Sequence, residues 1–321
     1  MMYKLIAIAK NTFVETLRQP VYAVIIAAAL LLFLISPSLA MYTMDDDNKL
    51  LREIGLSTLF LTSLFIAIFS ASGAVAVELE NKTIMTVLTK PVQRPIFVLA
   101  KFLGVIGAVA VAHYLCTIGL LMAIRHGVLE TASDTHDWTV VGAASAVAIT
   151  TVLLSAFFNY AYDWKFTSTA IVVAAILATF AVVFLALIDR EWQFNPAENG
   201  INTLDIYGSI LLFLGAVIIA ALAVAISARF NVVVTLSACV GVFLLGLVSD
   251  YVFGRFADTY LWARMGRFLI PNLQVFWISD AIYEGTVVPF KYILISASYA
   301  LCYAAGILAL AVALFQRRQV G

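Results

Sequence analysis

Eight stretches of the chain are nearly unbroken apolar runs: residues 21–41, 56–77, 96–124, 139–160, 168–188, 206–227, 232–253 and 292–314. A helix rises about 1.5 Å per residue, so a run of roughly twenty residues crosses a hydrocarbon core of about 30 Å. None of the runs alternates apolar and polar positions as a barrel strand does. An open sheet in lipid would leave backbone groups unpaired. The pattern therefore predicts an all-α polytopic membrane protein, a helical bundle of about eight spans forming one transmembrane domain over residues 1–321. The joins at 160–167 and 228–231 are so short that the spans they connect should form tight antiparallel hairpins.

Three polar interruptions stand out against these runs. In residues 1–20, Leu5, Ala9, Phe13 and Leu17 recur every fourth position while Lys4, Asn11, Glu15 and Arg18 fall on another face. This pattern predicts an amphipathic helix lying in the membrane interface. Basic residues ahead of an apolar stretch ending Ser38-Leu39-Ala40 also resemble a secretory signal, but the long patterned lead-in argues against one. Within the first span, Ser36-Pro37-Ser38 predicts a kink.

The second interruption, 78–95, has the form of a short helix and a stop. Glu78 and Glu80 suit a helix N-terminus. Ile84, Val87 and Leu88 make a small apolar face, and Pro91 ends the helix after Lys90. Arg94-Pro95 leads into the third span, with Lys101 one turn inside and expected to snorkel back to the headgroups. The segment reads either as a solvated loop whose charges obey topology or as a coupling helix that docks on a soluble partner. The third interruption, 254–291, carries Phe256, Tyr260, Trp262, Phe268, Phe276, Trp277 and Tyr283 among Arg264, Arg267 and Asp280. It reads either as interfacial anchoring or as short helices dipping into the outer leaflet around a turn at Pro271-Asn272.

Composition agrees with a membrane protein. The chain is 63% hydrophobic and only 12% charged, where soluble domains carry about a quarter charged residues. Its net charge of zero gives no pull toward nucleic acid. With the N-terminus inside, the inner side holds Lys4, Lys10, Arg18, Lys82, Lys90, Arg94, Lys101, Lys165, Arg229, Arg317 and Arg318. The short outer loops hold only Lys49, Arg52, Arg125 and Arg190. The positive-inside rule then places both termini and residues 78–95 in the cytoplasm and residues 254–291 outside.

Candidate chemistry is sparse. Cys116, Cys239 and Cys302 each lie in an apolar run and read as small buried hydrophobes. His113, the one histidine within a span, is expected to hydrogen-bond a neighbouring helix, and Asp250 to pair with Arg255. Mid-span charges are nearly absent, which disfavours the alternative of an ion- or proton-coupled secondary transporter. Scattered histidines and the lack of paired carboxylates disfavour an intramembrane enzyme. No catalytic residue and no metal ligand is expected.

The order Glu78, Glu80, Lys82, Thr83, Ile84, then Leu88, Thr89, Lys90, Pro91, Val92, Arg94, then Lys101, Phe102, Leu103, Gly104 resembles the first cytoplasmic loop of type-2 ABC exporter permeases. The stretch IAKNTFVETLRQP (8–20) is similar to that family's elbow helix, with Phe13, Glu15 and Arg18 in place. The ending LALAVALFQRRQVG is similar to its closing span. The resemblance implies a permease subunit of the bacterial cytoplasmic membrane, paired with a second copy or a paralogue amid membrane lipids. It also implies a separate cytoplasmic ABC ATPase contacting Glu78, Glu80, Lys82, Thr83, Ile84, Val87, Leu88 and Arg94. This chain has no G-x-x-x-x-G-K-[ST] phosphate loop, so ATP is expected in the partner and no cofactor here. The family core has six spans against the eight counted. Either a pair is added, or two segments form a broken helix or re-entrant pair; even parity leaves both termini cytoplasmic.

Overall fold

The computed structural model describes residues 2–41, 47–76, 93–129, 135–196, 199 and 201–316. Among them it is all helical: α1 (Met2–Leu17), α2 (Pro20–Ala40), α3 (Asp47–Ala71), α4 (Arg94–His126), α5 (Trp138–Tyr162) and α6 (Phe166–Leu187). There follow α7 (Thr203–Ser227), α8 (Val232–Leu247), α9 (Ser249–Val252), α10 (Leu261–Leu269), α11 (Ser279–Tyr283) and α12 (Phe290–Gln316). A π-helical turn, Ser72–Ala76, extends α3.

Local chemistry sets several boundaries. Pro20 opens α2 and Pro95 opens α4 at positions where a missing N–H costs nothing. Asn202 and Asn231 cap α7 and α8 by accepting from Leu204 N and Val234 N. Asp163 ends α5 in the left-handed region (φ 56°), and the chain re-enters α6 three residues later, which makes the expected tight hairpin. At Pro37 the helix runs on. The proline removes the bond to the Phe33 carbonyl, and the Ser36 hydroxyl donates to that oxygen instead at 2.9 Å.

Among the described residues, seven helices are long and apolar enough to cross a membrane: α2, α3 with its π turn, α4, α5, α6, α7 and α12. The eighth apolar run is different. α8 stops at Leu247 and the chain bends by 67° into the short α9. Sixteen helical residues reach about 24 Å, short of a full crossing. Gly246 explains the close approach at this bend. A β-carbon there would stand 2.8 Å from the Pro271 carbonyl oxygen, and the Gly246 carbonyl accepts from Leu273 N at 3.0 Å. The eighth apolar run is therefore not one straight span: the described residues hold seven straight spans, or eight when the bent pair is taken as one.

α3, α4 and α7 form the centre. α1 lies along α4, α2 along α3, α12 along α7, and α5 pairs with α6. Where α7 meets its neighbours its buried residues are mostly small, Ala216, Ala220, Ala221 and Ala223. Small side chains let helix backbones approach closely where lipid supplies no hydrophobic drive. Phe60, Leu59 and Leu64 of α3 fill the space beside them.

Candidate functional site

The end of the bundle that carries the polar segment after α3 is framed by three packed pieces. Glu78, Glu80, Lys82, Thr83, Ile84, Val87 and Leu88 lie outside the described residues. Arg94 is described: it opens α4, with Gln93 as the capping position. On the other flank, α3 ends in the π turn, a form that recurs at functional sites. The elbow helix α1 contacts both α4 and the π turn, so the two chain ends that border the segment are packed against one helix. Phe13 packs partly buried against the core, while Glu15 and Arg18 are exposed. The buried stripe of α1 also includes Thr12 and Thr16, which the four-residue spacing of Leu5, Ala9, Phe13 and Leu17 missed. Gly104 makes the contact possible: a β-carbon there would lie 2.6 Å from the Ala9 carbonyl oxygen.

Lys101 does not snorkel outward. Its residue is 2% exposed, and its Nζ stands 5.6 Å from the centroid of the Phe97 ring, one turn back. Side chains tilt toward the helix start, and an aromatic face attracts an ammonium.

The interior holds one buried polar knot. His113 Nδ1 lies 2.7 Å from Ser63 Oγ of α3, and its Nε2 lies 2.9 Å from the Ser209 carbonyl oxygen of α7. With Nε2–H donating to that carbonyl, Nδ1 accepts from the Ser63 hydroxyl, and the neutral ring is satisfied on both sides. Thr117 Oγ1 stands 2.6 Å from Ser209 Oγ and extends the knot. The expected interhelical role of His113 therefore holds: it ties α3, α4 and α7 together. Cys116 and Cys239 are buried as expected, but Cys302 is exposed on α12. Among the described residues no group of three His, Cys, Asp or Glu side chains is placed to hold a metal.

The opposite end carries a group of ion pairs. Lys49 and Arg52 lie in the first turns of α3 rather than in a loop; Lys49 reaches Asp280 at 3.7 Å and Arg52 reaches Asp205 at 3.4 Å. Asp137 caps α5, accepting from Thr139 N and Val140 N at 3.1 and 3.2 Å, and Arg125 and Arg190 each stand 3.5 Å from its Oδ2. Burial alone would raise this carboxyl's pKa. The bonds from Thr139 and Val140 and the two guanidinium charges outweigh it and hold the group below its ordinary value. Asp250 pairs with Arg267 at 3.8 Å, not with Arg255, whose guanidinium stands 5.9 Å from the Phe256 ring centroid. The bend after α8 turns Asp250 toward α10.

Residues 254–291 form a 3-10 turn, α10, a second 3-10 turn and α11. Their middle is threaded into the bundle. Tyr303 Oη donates to the Leu269 carbonyl (2.6 Å), Tyr299 Oη accepts from Asn272 N (2.9 Å), and Tyr292 Oη donates to the Val275 carbonyl (2.6 Å). Leu273 and Phe276 are fully buried. Irregular backbone survives beside lipid only when such partners satisfy it. Three tyrosines of α12 do this, and none of them belongs to the aromatic set that marked 254–291 in the sequence.

A multi-pass helical membrane protein is defined by these spans, with a buried polar knot joining its central helices and ion pairs at one end. Residues 23–234, about two thirds of the chain, match the model of the ABC-2 family transporter proteins, and the chain belongs to that family. It is a transport permease. No curated protein and no solved structure matches it.

The ion-pair network and the tyrosine ties were not visible beforehand. Asp137 ahead of a span was readable as a cap, but the partners of Arg52, Arg125 and Arg190 come from helices distant in sequence.

Proposed function

We propose that this chain is the membrane-spanning subunit of an ATP-binding-cassette exporter, forming the translocation path with a second copy or a paralogue. A separate cytoplasmic ATPase binds and hydrolyses the ATP. The family match over residues 23–234 carries the reading, because it includes the whole 77–92 segment. The packing of α1 against both flanks of that segment supports it. In this reading Ile84, Val87 and Leu88 form the tip of a coupling helix, and burial of each in a groove of the ATPase contributes roughly 1.5–3 kcal/mol. Glu78, Glu80, Lys82, Thr83 and Arg94 orient the docking, with exposed pairs contributing under about 1 kcal/mol each. Both termini lie in the cytoplasm, and the membrane is the bacterial inner membrane.

The test is the double substitution Val87→Asp with Leu88→Asp. The variant is expected to insert and fold as the parent does but to lose copurification with the ATPase and substrate-stimulated ATP hydrolysis. Retention of both at parental levels would sink the coupling role. Reporters fused after Gly321 and inserted at Asp46 are expected to lie on opposite sides; the same side for both would overturn the orientation.

A further inference from the structure

At the charged end a cavity of about 310 Å³ opens between α3, α4, α6 and α7. Arg52, Arg125, Arg190, Asp137 and Asp205 line one side, together with Asn199 and Asn202. Leu121, Met122, Val182 and Leu185 line the other. Three guanidinium groups face two carboxylates, so the described lining carries one uncompensated positive charge. Two of its N–H groups are also unsatisfied. Arg52 Nε stands 3.4 Å from Asp205 Oδ1 yet makes no hydrogen bond, and Arg125 Nη1 is buried with no acceptor. A buried guanidinium N–H without a partner is costly. One group bearing one negative charge would answer the charge deficit, and it reaches the two buried N–H groups only if the guanidinium planes turn toward the cavity.

We propose that this cavity binds the anionic head of an amphipathic molecule, a phosphate or a carboxylate, held by Arg52 and Arg125 with its apolar part against Leu121 and Val182. The arginine fork matches the two oxygens of either group. The volume lies at the lower end of ligand pockets, about 300–1,000 Å³. It accommodates a head group and a few carbons and excludes whole acyl chains. The site stands apart from ATPase docking and does not depend on it.

The test uses the full chain in phosphatidylcholine nanodiscs, with thermal unfolding and native mass spectrometry as readouts. Three probes are titrated separately: phosphatidylglycerol, octanoate and inorganic phosphate. A saturable rise in unfolding temperature with phosphatidylglycerol marks a lipid head as the ligand, one with octanoate marks a soluble amphiphile, and a rise with phosphate as large as with either overturns the amphipathic reading. In either case Ala186→Phe, which fills the cavity and leaves the ion pairs, is expected to weaken binding about tenfold or more. The pair Arg52→Gln with Asp205→Asn, which removes a donor at constant net charge, is expected to do the same. Arg190, whose side chain is 60% exposed, supplies a third variant, Arg190→Gln, that removes the surplus charge at little risk to folding. The proposal is overturned if no probe gives a saturable shift, or if the folded variants bind as the parent does.

Discussion

The central helices α3, α4 and α7 and the outer helices α2, α5, α6 and α12 are alike in length and apolar character, yet they live in different surroundings. Of their most apolar windows, 72%, 61% and 72% is buried within the chain in the first group. The figures are 28%, 17%, 22% and 22% in the second. Apolar character decides that a helix enters the membrane, because each segment is partitioned against water by itself. It does not decide whether the helix faces protein or lipid, since lipid tails are as apolar as leucine. The central helices are further tied to one another by small and polar residues. His113, Ser63, Ser209 and Thr117 join the central helices to one another. On α5, by contrast, the hydroxyls of Thr151 and Ser155 have no hydrogen-bond partner. The outer faces are the surfaces left for lipid and, in the proposed assembly, for the second subunit.

The contrast is most exposed to failure in a matched pair of phenylalanine truncations. Phe60 of α3 is 2% exposed and packs edge-on against Phe243 at 5.2 Å, whereas Phe180 of α6 is 69% exposed. Phe60→Ala is expected to cost about 3 kcal/mol, the low end for such a truncation because lipid rather than water is the alternative surrounding. Phe180→Ala should cost close to nothing. Equal losses in reversible unfolding measurements would erase the distinction between the two groups.

Gly104→Val comes next. It drives a side chain into the Ala9 carbonyl and the Thr12 side chain, and overpacking of this kind costs roughly 1–3 kcal/mol. The expected sign is a lower unfolding temperature together with raised protease sensitivity in α1. A stable variant with α1 still docked would show that the elbow adjusts freely.

A smaller difference is expected between two hydroxyl deletions. Ser63→Ala removes a bond to His113, and interhelical bonds in membranes contribute about 0.6 kcal/mol and at most about 1.7. Thr151→Ala on α5 removes no bond and should be neutral. If the two prove indistinguishable, the polar knot does not hold the centre together.

The smallest effect near neutral pH concerns Asp137. Its folded pKa lies below the ordinary 3.8, so its contribution to stability is fully present above that value and is lost as pH falls through the folded value. Unfolding temperature should therefore be insensitive to this group between about pH 7 and 5. In more acid solution the parent should lose more stability than Asp137→Asn. A parent and variant that fall in parallel would show the carboxylate to be unimportant.

Much of this molecule was legible residue by residue. The spans appear where the apolar runs lie, Pro20 and Pro95 stand at helix starts, and residues 163–165 turn as briefly as the short join demands. The amphipathic start forms α1, and the histidine within a span bonds its neighbours. These features follow from each segment's own exchange between water, interface and hydrocarbon, or from backbone chemistry a few residues long. The tertiary structure alone decided that Lys101 lies over Phe97, that Asp250 meets Arg267, and that α8 breaks where residues 270–274 press on Gly246. It likewise decided that three tyrosines hold that segment and that three arginines converge on one cavity. Each of these joins groups from separate elements or fits side chains into a particular packing, and a linear pattern of apolar and polar positions carries no record of which donor will find which acceptor once the helices have packed.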